Sequence, residues 1–317
     1  MSSIVSEDFL KNGIAGQLVN GVMLMKGYNI ALTKNGKEYI QGSLQSGLSV
    51  PCKAWNNSAA FTKLKTEEYG NTVVLINGQF DDFGGVLSIT LTDLQAVSGF
   101  DIMQFFPLKY NIESYMTGLV NLVKGSVSEK GMIIANQVLF ENELVRESFK
   151  NEFAASSNHD NCRGGLLAHT YKTVYFASTI TKFYPYLVSG EDGKFSQDKM
   201  DLLILGTLCH DIGKIREIIN GVYQPVSCVT HRFLGIEMLD KNLIISSYDE
   251  KFYYDLVSIL LQHHGEFGDD CRTVVSYIVH NVDLFESRMT FLNQTIENLI
   301  TRTENTSIRI DSKYLAL

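Results

Sequence analysis

All seven histidines of this 317-residue chain lie between His159 and His280. Seven residues scattered at random would all avoid the first half about once in a hundred sequences, so most of them are read as sharing one task. In order, the residues able to bind a metal are His169, the pair His210-Asp211, His231, the pair His263-His264, and Asp283. Imidazoles and carboxylates without thiolates suit Mn, Fe, Co, Ni or Zn in a catalytic setting better than a structural zinc, which favours cysteines. The five cysteines, Cys52, Cys162, Cys209, Cys228 and Cys271, are widely spaced and form no Cys-x-x-Cys pair. That argues against a disulfide framework and a thiolate zinc site, and predicts reduced, mostly buried thiols.

The local context supports coordination. His210 and Asp211 end the apolar run 202–209, and Gly213 follows; His263 and His264 end the run 257–262, and Gly265 follows. Both pairs therefore sit where a buried helix emerges. Neighbouring helical residues point about 100° apart, so an Asp beside a His can bridge two metal ions while the His binds one. Leaving such polar pairs buried without partners is costly, which makes packing a poor explanation for either.

The elements that position these residues differ along the chain. Segments 19–31, 37–44, 48–55, 72–80 and 85–91 alternate or run apolar, with turn signals at Asn35-Gly36, Ser46-Gly47, Gly70-Asn71 and Gly84-Gly85 between them. Five short strands in so little chain predict a small closed barrel, with the five-stranded OB-fold as the natural candidate. Beyond residue 111, apolar residues recur at three- and four-residue spacing, predicting helices over 112–127, 134–152, 166–183, 199–211, 231–239, 250–263, 271–288 and 291–302, with a loop over 188–197. The expected fold class is α+β multidomain, an OB-fold β-barrel followed by an all-α domain. The expected boundaries are 1–100 for the barrel, 101–160 for a helical connector and 161–317 for the helical domain that carries the candidate metal-binding residues.

Composition narrows the rest. The chain is 45% hydrophobic and 20% charged with a formal charge of −8, which excludes disordered, collagenous and strongly basic classes. No segment is net basic, so a polyanion contact has to come from a local patch. No apolar run is long enough for a membrane helix, and the start has no basic segment followed by an apolar one, so a soluble, cytoplasmic protein is expected.

Five stretches carry a resemblance: Arg163-Gly-Gly-Leu-Leu-x-His-Thr170, Gly206-x-Leu-x-His-Asp-Ile-Gly-Lys-Ile-Arg-Glu217, His231-x-x-x-Gly-x-Glu-Met238, Leu261-x-His-His-Gly-Glu266 and His280-x-x-Asp-x-x-x-x-x-Met289. Together they resemble the HD-domain superfamily of metal-dependent phosphohydrolases and, within it, the YhaM-type 3′→5′ exoribonucleases. Residues 44–55 and 73–83 resemble that family's OB-fold. The resemblance implies one divalent transition metal held by His169, His210, Asp211 and Asp283, and a second held by Asp211, His231, His263 and His264, with Mn the leading candidate. It implies a catalytic role for Asp211 and Lys214, with Lys214 and Arg232 facing substrate phosphate. It also implies a single-stranded RNA or DNA substrate and a homo-oligomer, for which the apolar end 314–317 is one contact. The chain departs from the family pattern at Ala168, where an acidic residue is common, and at Asn158-His159, where a double histidine is common; Glu286 completes an acidic pair with Asp283.

Further substrate contacts are read from residue type. Tyr28, Tyr39, Trp55, Phe80 and Phe83, helped by Lys26, Lys37 and Lys53, are candidates for stacking and gripping a single strand, although small barrels also fill their interiors with such aromatics. Arg163, beside Gly164-Gly165, is either a phosphate ligand or an exposed residue at a helix start. His159 and His280 are either ligands or histidines of the core or just behind the ligands, which orient a ligand without touching metal. Two other functions fit parts of the sequence: an HD phosphohydrolase of small nucleotides, and a nucleic-acid-binding regulator with a relict catalytic domain.

Overall fold

Strand-forming residues fill the first hundred positions and helix-formers the rest, and the chain divides accordingly into two units, Met1–Leu108 and Lys109–Leu317. The computed structural model describes residues 3–83, 86–155, 160–224, 229–302, 307–310 and 313–316, and the side chains of 83, 267, 298–302 and 307–316 are outside that description. His159, Cys228, the side chain of Phe83 and the proposed contact at 314–317 therefore fall outside the described residues.

In the first unit a short helix α1 (Glu7–Lys11) precedes strands β1 (Leu18–Leu32), β2 (Glu38–Ser46) and β3 (Leu48–Trp55); helix α2 (Ala59–Thr66) and strands β4 (Thr72–Phe83) and β5 (Val86–Ala96) follow. The five strands close a barrel in the order β1-β2-β3-β5-β4, with β3 and β5 parallel and the remaining pairs antiparallel. This is the closed five-stranded barrel expected. β1 is long enough to pair with both β2 and β4, and its register on β2 shifts between Met25 and Gly27, leaving Lys26 in a bulge. Residues alternate faces along each strand, so Ile40, Leu44, Val50, Cys52, Ala54 and Ile89 fill the interior. Ala60, Phe61 and Leu64 of α2 join that core, and Ser58 Oγ caps the helix by accepting from Phe61 N.

In the second unit, α3 (Ile112–Lys124), α4 (Glu129–Ala135) and α5 (Glu143–Asn151) lead to α6 (Gly165–Phe183) and α7 (Gln197–Cys209). The short α8 (Lys214–Glu217) and a hairpin, β6 (Ile218–Ile219) with β7 (Val222–Tyr223), come next. Then follow α9 (His231–Ile236), α10 (Lys241–Ser247), α11 (Glu250–Gln262) and α12 (Val274–Arg302), and a last hairpin pairs β8 (Ser307–Ile310) with β9 (Lys313–Ala316). Residues Met200 to Cys209 of α7 are all buried, as a helix apolar on every side must be. α6, α11 and α12 pack around it, and Gly206 admits Ile259 so closely that a Cβ there would lie 2.7 Å from Ile259 Cδ1. Met116, Leu119 and Val123 of α3 and Ile134 and Ala135 of α4 belong to the same core as α7.

Two helix expectations are corrected. The single helix expected over 134–152 breaks after a π-helical stretch, Asn136–Phe140, because Asn142 Oδ1 accepts from Val145 N and caps α5. The two helices expected over 271–288 and 291–302 form one continuous α12, since no Pro or Gly interrupts 274–302. Among the described residues, no helix is long and apolar enough to cross a membrane. Cys52, Cys162 and Cys209 are buried and free, and Cys271 is half-buried.

Candidate metal centre

α7 ends at Cys209, so His210 and Asp211 stand at the mouth of the most buried helix in the unit, and the chain turns at once into α8. That turn needs Gly213, where a Cβ would lie 2.0 Å from His231 O and 2.5 Å from Gly235 N; its absence lets the start of α9 press against the His-Asp pair. α11 likewise ends at Gln262 and presents His263 and His264. Gly265 adopts φ +55, and a Cβ on it would meet the His280 ring at 2.5 Å. α6 contributes His169 from its first turns and α12 contributes Asp283.

The outward ring nitrogens show how these imidazoles are held. His210 Nδ1 lies 2.7 Å from Thr207 O and His263 Nδ1 lies 2.9 Å from Leu260 O. A carbonyl only accepts, so each ring carries its proton on Nδ1 and turns the Nε2 lone pair inward. His231 Nδ1 donates to Glu217 Oε2 at 2.8 Å and His169 Nδ1 to Glu286 Oε2 at 2.5 Å. This pattern, a donor anchored behind and a lone pair presented in front, is how metal-binding histidines are oriented.

On the inside, Asp211 divides the ligands into two groups. Its Oδ2 is 3.5 Å from His169 Nε2 and 3.5 Å from His210 Nε2. Its Oδ1 is 3.4 Å from His231 Nε2 and 3.7 Å from His263 Nε2. His169 Nε2 also lies 3.2 Å from His210 Nε2 and 3.2 Å from Asp283 Oδ1, while His231 Nε2 and His263 Nε2 are 3.4 Å apart. The His264 ring is 4.3 Å from that of His263 and 5.0 Å from that of His231. His169, His210 and Asp283 can thus close on one ion, and His231, His263 and His264 on another, with Asp211 between them.

The donor set fits divalent cations. Asp211 Oδ1 is buried and has no hydrogen-bond donor among the described residues, which costs about 1–3 kcal/mol unless a bound cation offsets it. Inward lone pairs and carboxylate oxygens at these distances repel unless positive charge lies among them. The protonation equilibria show the same field. Burial works against charge on His169, but Glu286 and Asp283 outweigh it and raise its pKa to about 10, so a cation bound here takes the place of a proton on its Nε2. Burial lowers His210, takes His263 well below its usual range with help from His210, and brings His264 down to about 4. Despite burial, Lys214 and the surrounding imidazoles hold the Asp211 carboxyl well below its usual range.

The remaining expected site residues are placed as follows. Lys214 is buried and its Nζ donates to Asp211 Oδ2 at 2.6 Å. Arg232 follows His231 at the start of α9; its Nη1 donates to Leu261 O at 2.8 Å and to Asp269 Oδ2 at 3.2 Å, and its buried Nε has no acceptor among the described residues. Arg163 donates through Nε to Asn151 Oδ1 at 2.9 Å. His280 donates to His263 O at 2.8 Å from behind, as an orienting residue does. Ala168 is fully buried, and His169 is held by the carboxylate of Glu286. Residue types and spacing gave no sign of the anchors Thr207 O and Leu260 O, which only the folded helix ends supply.

On the barrel, Tyr39 and Trp55 are register partners on the outer face, their rings 5.2 Å apart, with Trp55 38% exposed. Asn29, Gln41, Lys53 and Thr90 form the next outward row. Lys26 is half-buried, its Nζ 5.5 Å from the Phe106 ring, and burial lowers its pKa. Lys37 is exposed in the β1–β2 turn. Phe80 is barrel core, 1% exposed and 5.7 Å from the Phe9 ring. Tyr28 donates to Glu67 O at 2.9 Å and is half-buried.

Residues 166–288 match the HD domain family model. The chain is 24% identical to the 3′-5′ exoribonuclease YhaM of Oceanobacillus iheyensis, the match covering 92% of each chain. It is 22% identical to the 3′-5′ exoribonuclease YhaM of Shouchella clausii, the match covering 90% of this chain and 88% of that one.

Proposed function

We propose that this chain, a homologue of the YhaM exoribonucleases over about nine-tenths of its length with an HD domain in its helical unit, is a divalent-metal-dependent nuclease. It removes nucleoside 5′-monophosphates one at a time from the 3′ end of single-stranded RNA, with single-stranded DNA as a second substrate. The observation that carries this reading is the division of Asp211, one oxygen toward the His169–His210 group and the other toward the His231–His263 group. Such an arrangement suits two adjacent cations, the clamp that two-metal nucleases place on the attacking and leaving oxygens of a phosphodiester.

His169, His210, Asp211 and Asp283 would hold one ion and Asp211, His231, His263 and His264 the other. Bound there, divalent ions would supply Lewis acidity toward water and toward the scissile phosphate; the thiolate-free set of imidazoles and carboxylates suits Mn, Fe, Co, Ni or Zn, and the likeness to the YhaM enzymes makes Mn the first ion to test. Lys214 sets a fixed ammonium beside Asp211, where it offsets negative charge developing on the phosphate. Arg232, with one guanidinium nitrogen without an acceptor among the described residues, and Arg163 at the start of α6 meet phosphates of the strand. The barrel, over 1–100, grips the strand by stacking bases on Tyr39 and Trp55 and by phosphate contacts from Lys26. Residues 101–160 connect it to the hydrolase at 161–317. On the same reading the protein works in the cytoplasm as a homo-oligomer.

The test is hydrolysis of 5′-labelled RNA and DNA oligomers with Mn²⁺, comparing the wild type with His210→Ala and Asp211→Ala. The expected result is a ladder shortening from the 3′ end, with 5′-monophosphates released and both variants inactive. Decay undiminished in either variant, or internal cuts, would overturn the reading.

A further inference from the structure

A third cluster of ligand-type side chains, Asp160, His169 and Glu286, lies behind the metal centre. An ammonium already occupies it. Lys172 Nζ donates to Asp160 Oδ2 at 3.0 Å and to Thr290 Oγ1 at 2.8 Å, and is ion-paired with Glu286 Oε1. Thr290 Oγ1 in turn donates to Glu286 Oε1 at 2.5 Å, and Tyr110 OH donates to Asp160 Oδ1. The other Glu286 oxygen receives the proton of His169 Nδ1. His169 and Lys172 are three residues apart on α6, and Glu286 and Thr290 four apart on α12, so each pair shares a helix face and the two faces meet here. Asp160 and Glu286 are 0% and 1% exposed. Lys172 reaches a cavity of about 520 Å³ lined by Tyr110, Phe176, Met289 and Thr290.

Both Glu286 oxygens are thereby committed, one to Lys172 and Thr290 and the other to His169. Without the ammonium, Asp160 and Glu286 would be two buried carboxylates with no cation between them, and their repulsion would push Glu286 off the position from which it holds His169. On the other side of the centre, Glu217 holds His231 through the histidine's side-chain and backbone nitrogens at 2.8 and 3.0 Å, and among the described residues no lysine or arginine forms an ion pair with Glu217.

We propose that Lys172 is a positioning residue that, through Glu286, keeps the proton of His169 on Nδ1 and its Nε2 directed at the first ion, and so governs that ion's affinity without governing the second. The inference rests on the two-ion reading above. It assigns the two ions separate outer supports: Lys172, Asp160 and Thr290 behind His169, and Glu217 behind His231.

The experiment counts Mn²⁺ per chain on the full-length protein by elemental analysis over a range of free Mn²⁺, with electron paramagnetic resonance to separate a coupled pair from an isolated ion. The wild type is expected to bind two ions with a coupled spectrum. Lys172→Met is expected to bind one ion as before and the other roughly 10- to 100-fold more weakly, giving an isolated-ion spectrum at intermediate Mn²⁺ and a lower kcat with KM little changed. Thermal melting checks the fold; if Lys172→Met does not fold, Glu286→Gln, of the same shape, carries the test with the same expectation. Two ions held at wild-type affinity in the folded variant, or both weakened alike, would overturn the inference. A wild type that binds no Mn²⁺ would overturn the two-ion reading itself, and that failure is recognisable because it needs no variant.

Discussion

Lys214 Nζ lies 2.6 Å from Asp211 Oδ2, three residues along the chain, and both side chains are almost wholly withdrawn from solvent. An ammonium placed there biases the charge of the centre from within the protein. Lys214→Met should therefore fold and bind metal but lose about 100-fold in kcat, the scale of removing one fixed charge-stabilising donor. Single-turnover RNA hydrolysis measures it. A rate within threefold of wild type would remove Lys214 from the chemistry.

Removing divalent ions should cost stability as well as activity. A ligand held at 100 times its Kd stabilises the folded state by about 2.7 kcal/mol, which is roughly 5–10 °C in Tm for a unit of this size. A chelator should lower the Tm of the helical unit by about that much per ion and abolish hydrolysis, and added Mn²⁺ should restore both. An unchanged Tm would show that the inward acceptors do not hold metal.

Gly213 ties fold to site. Because a Cβ there would overlap His231 O and Gly235 N, Gly213→Ala must push α9 away and carry His231 with it. We expect a loss of about 1–3 kcal/mol in urea unfolding together with weakened binding of the ion held by His231. A variant as stable and active as wild type would show that α9 yields freely.

Trp55 is the single tryptophan of the chain, so intrinsic fluorescence reports directly on the outward Tyr39–Trp55 pair. Single-stranded RNA should quench it, and Trp55→Ala should weaken RNA binding by about 1–3 kcal/mol, the usual worth of one base stacked on an aromatic ring. Absence of quenching at saturating RNA would move the grip elsewhere on the barrel.

Burial pushes the thiols of Cys52, Cys162 and Cys209 up to about 12 from a reference of 9.0. Protonated thiols are poor nucleophiles, so maleimide at pH 7 should label none of the three until urea is added. Because their folded pKa is raised, the stabilisation is complete below about pH 9 and is lost as pH rises toward 12. Cys52→Ala should accordingly lose less stability than the wild type between pH 9 and pH 11. Parallel losses would assign the alkaline sensitivity to other groups.

Much of this molecule is legible in the residues alone, and the remainder divides along physical lines. Period-two alternation announces the barrel strands, but it cannot tell the inner face from the outer one. Closure of β1 on β4 and β3 on β5 decides that, sending Phe80 into the core and Tyr39 and Trp55 outward. The break at Asn142 was equally hidden, because side-chain capping competes with a helix-forming run that reads as unbroken.

At the site, type, order and adjacency single out His169, His210-Asp211, His231, His263-His264 and Asp283 as candidate ligands, and the structure brings these groups together. Their grouping was not, because His169 and Asp283 are separated by more than a hundred residues and meet only where α6 packs on α12. The same packing decides which oxygen of Asp211 faces which histidines and brings Lys172 to Glu286. Chemistry is carried by residue identity and so is written in the chain; direction, tautomer and charge balance depend on distances across elements, which exist only once the helices have packed.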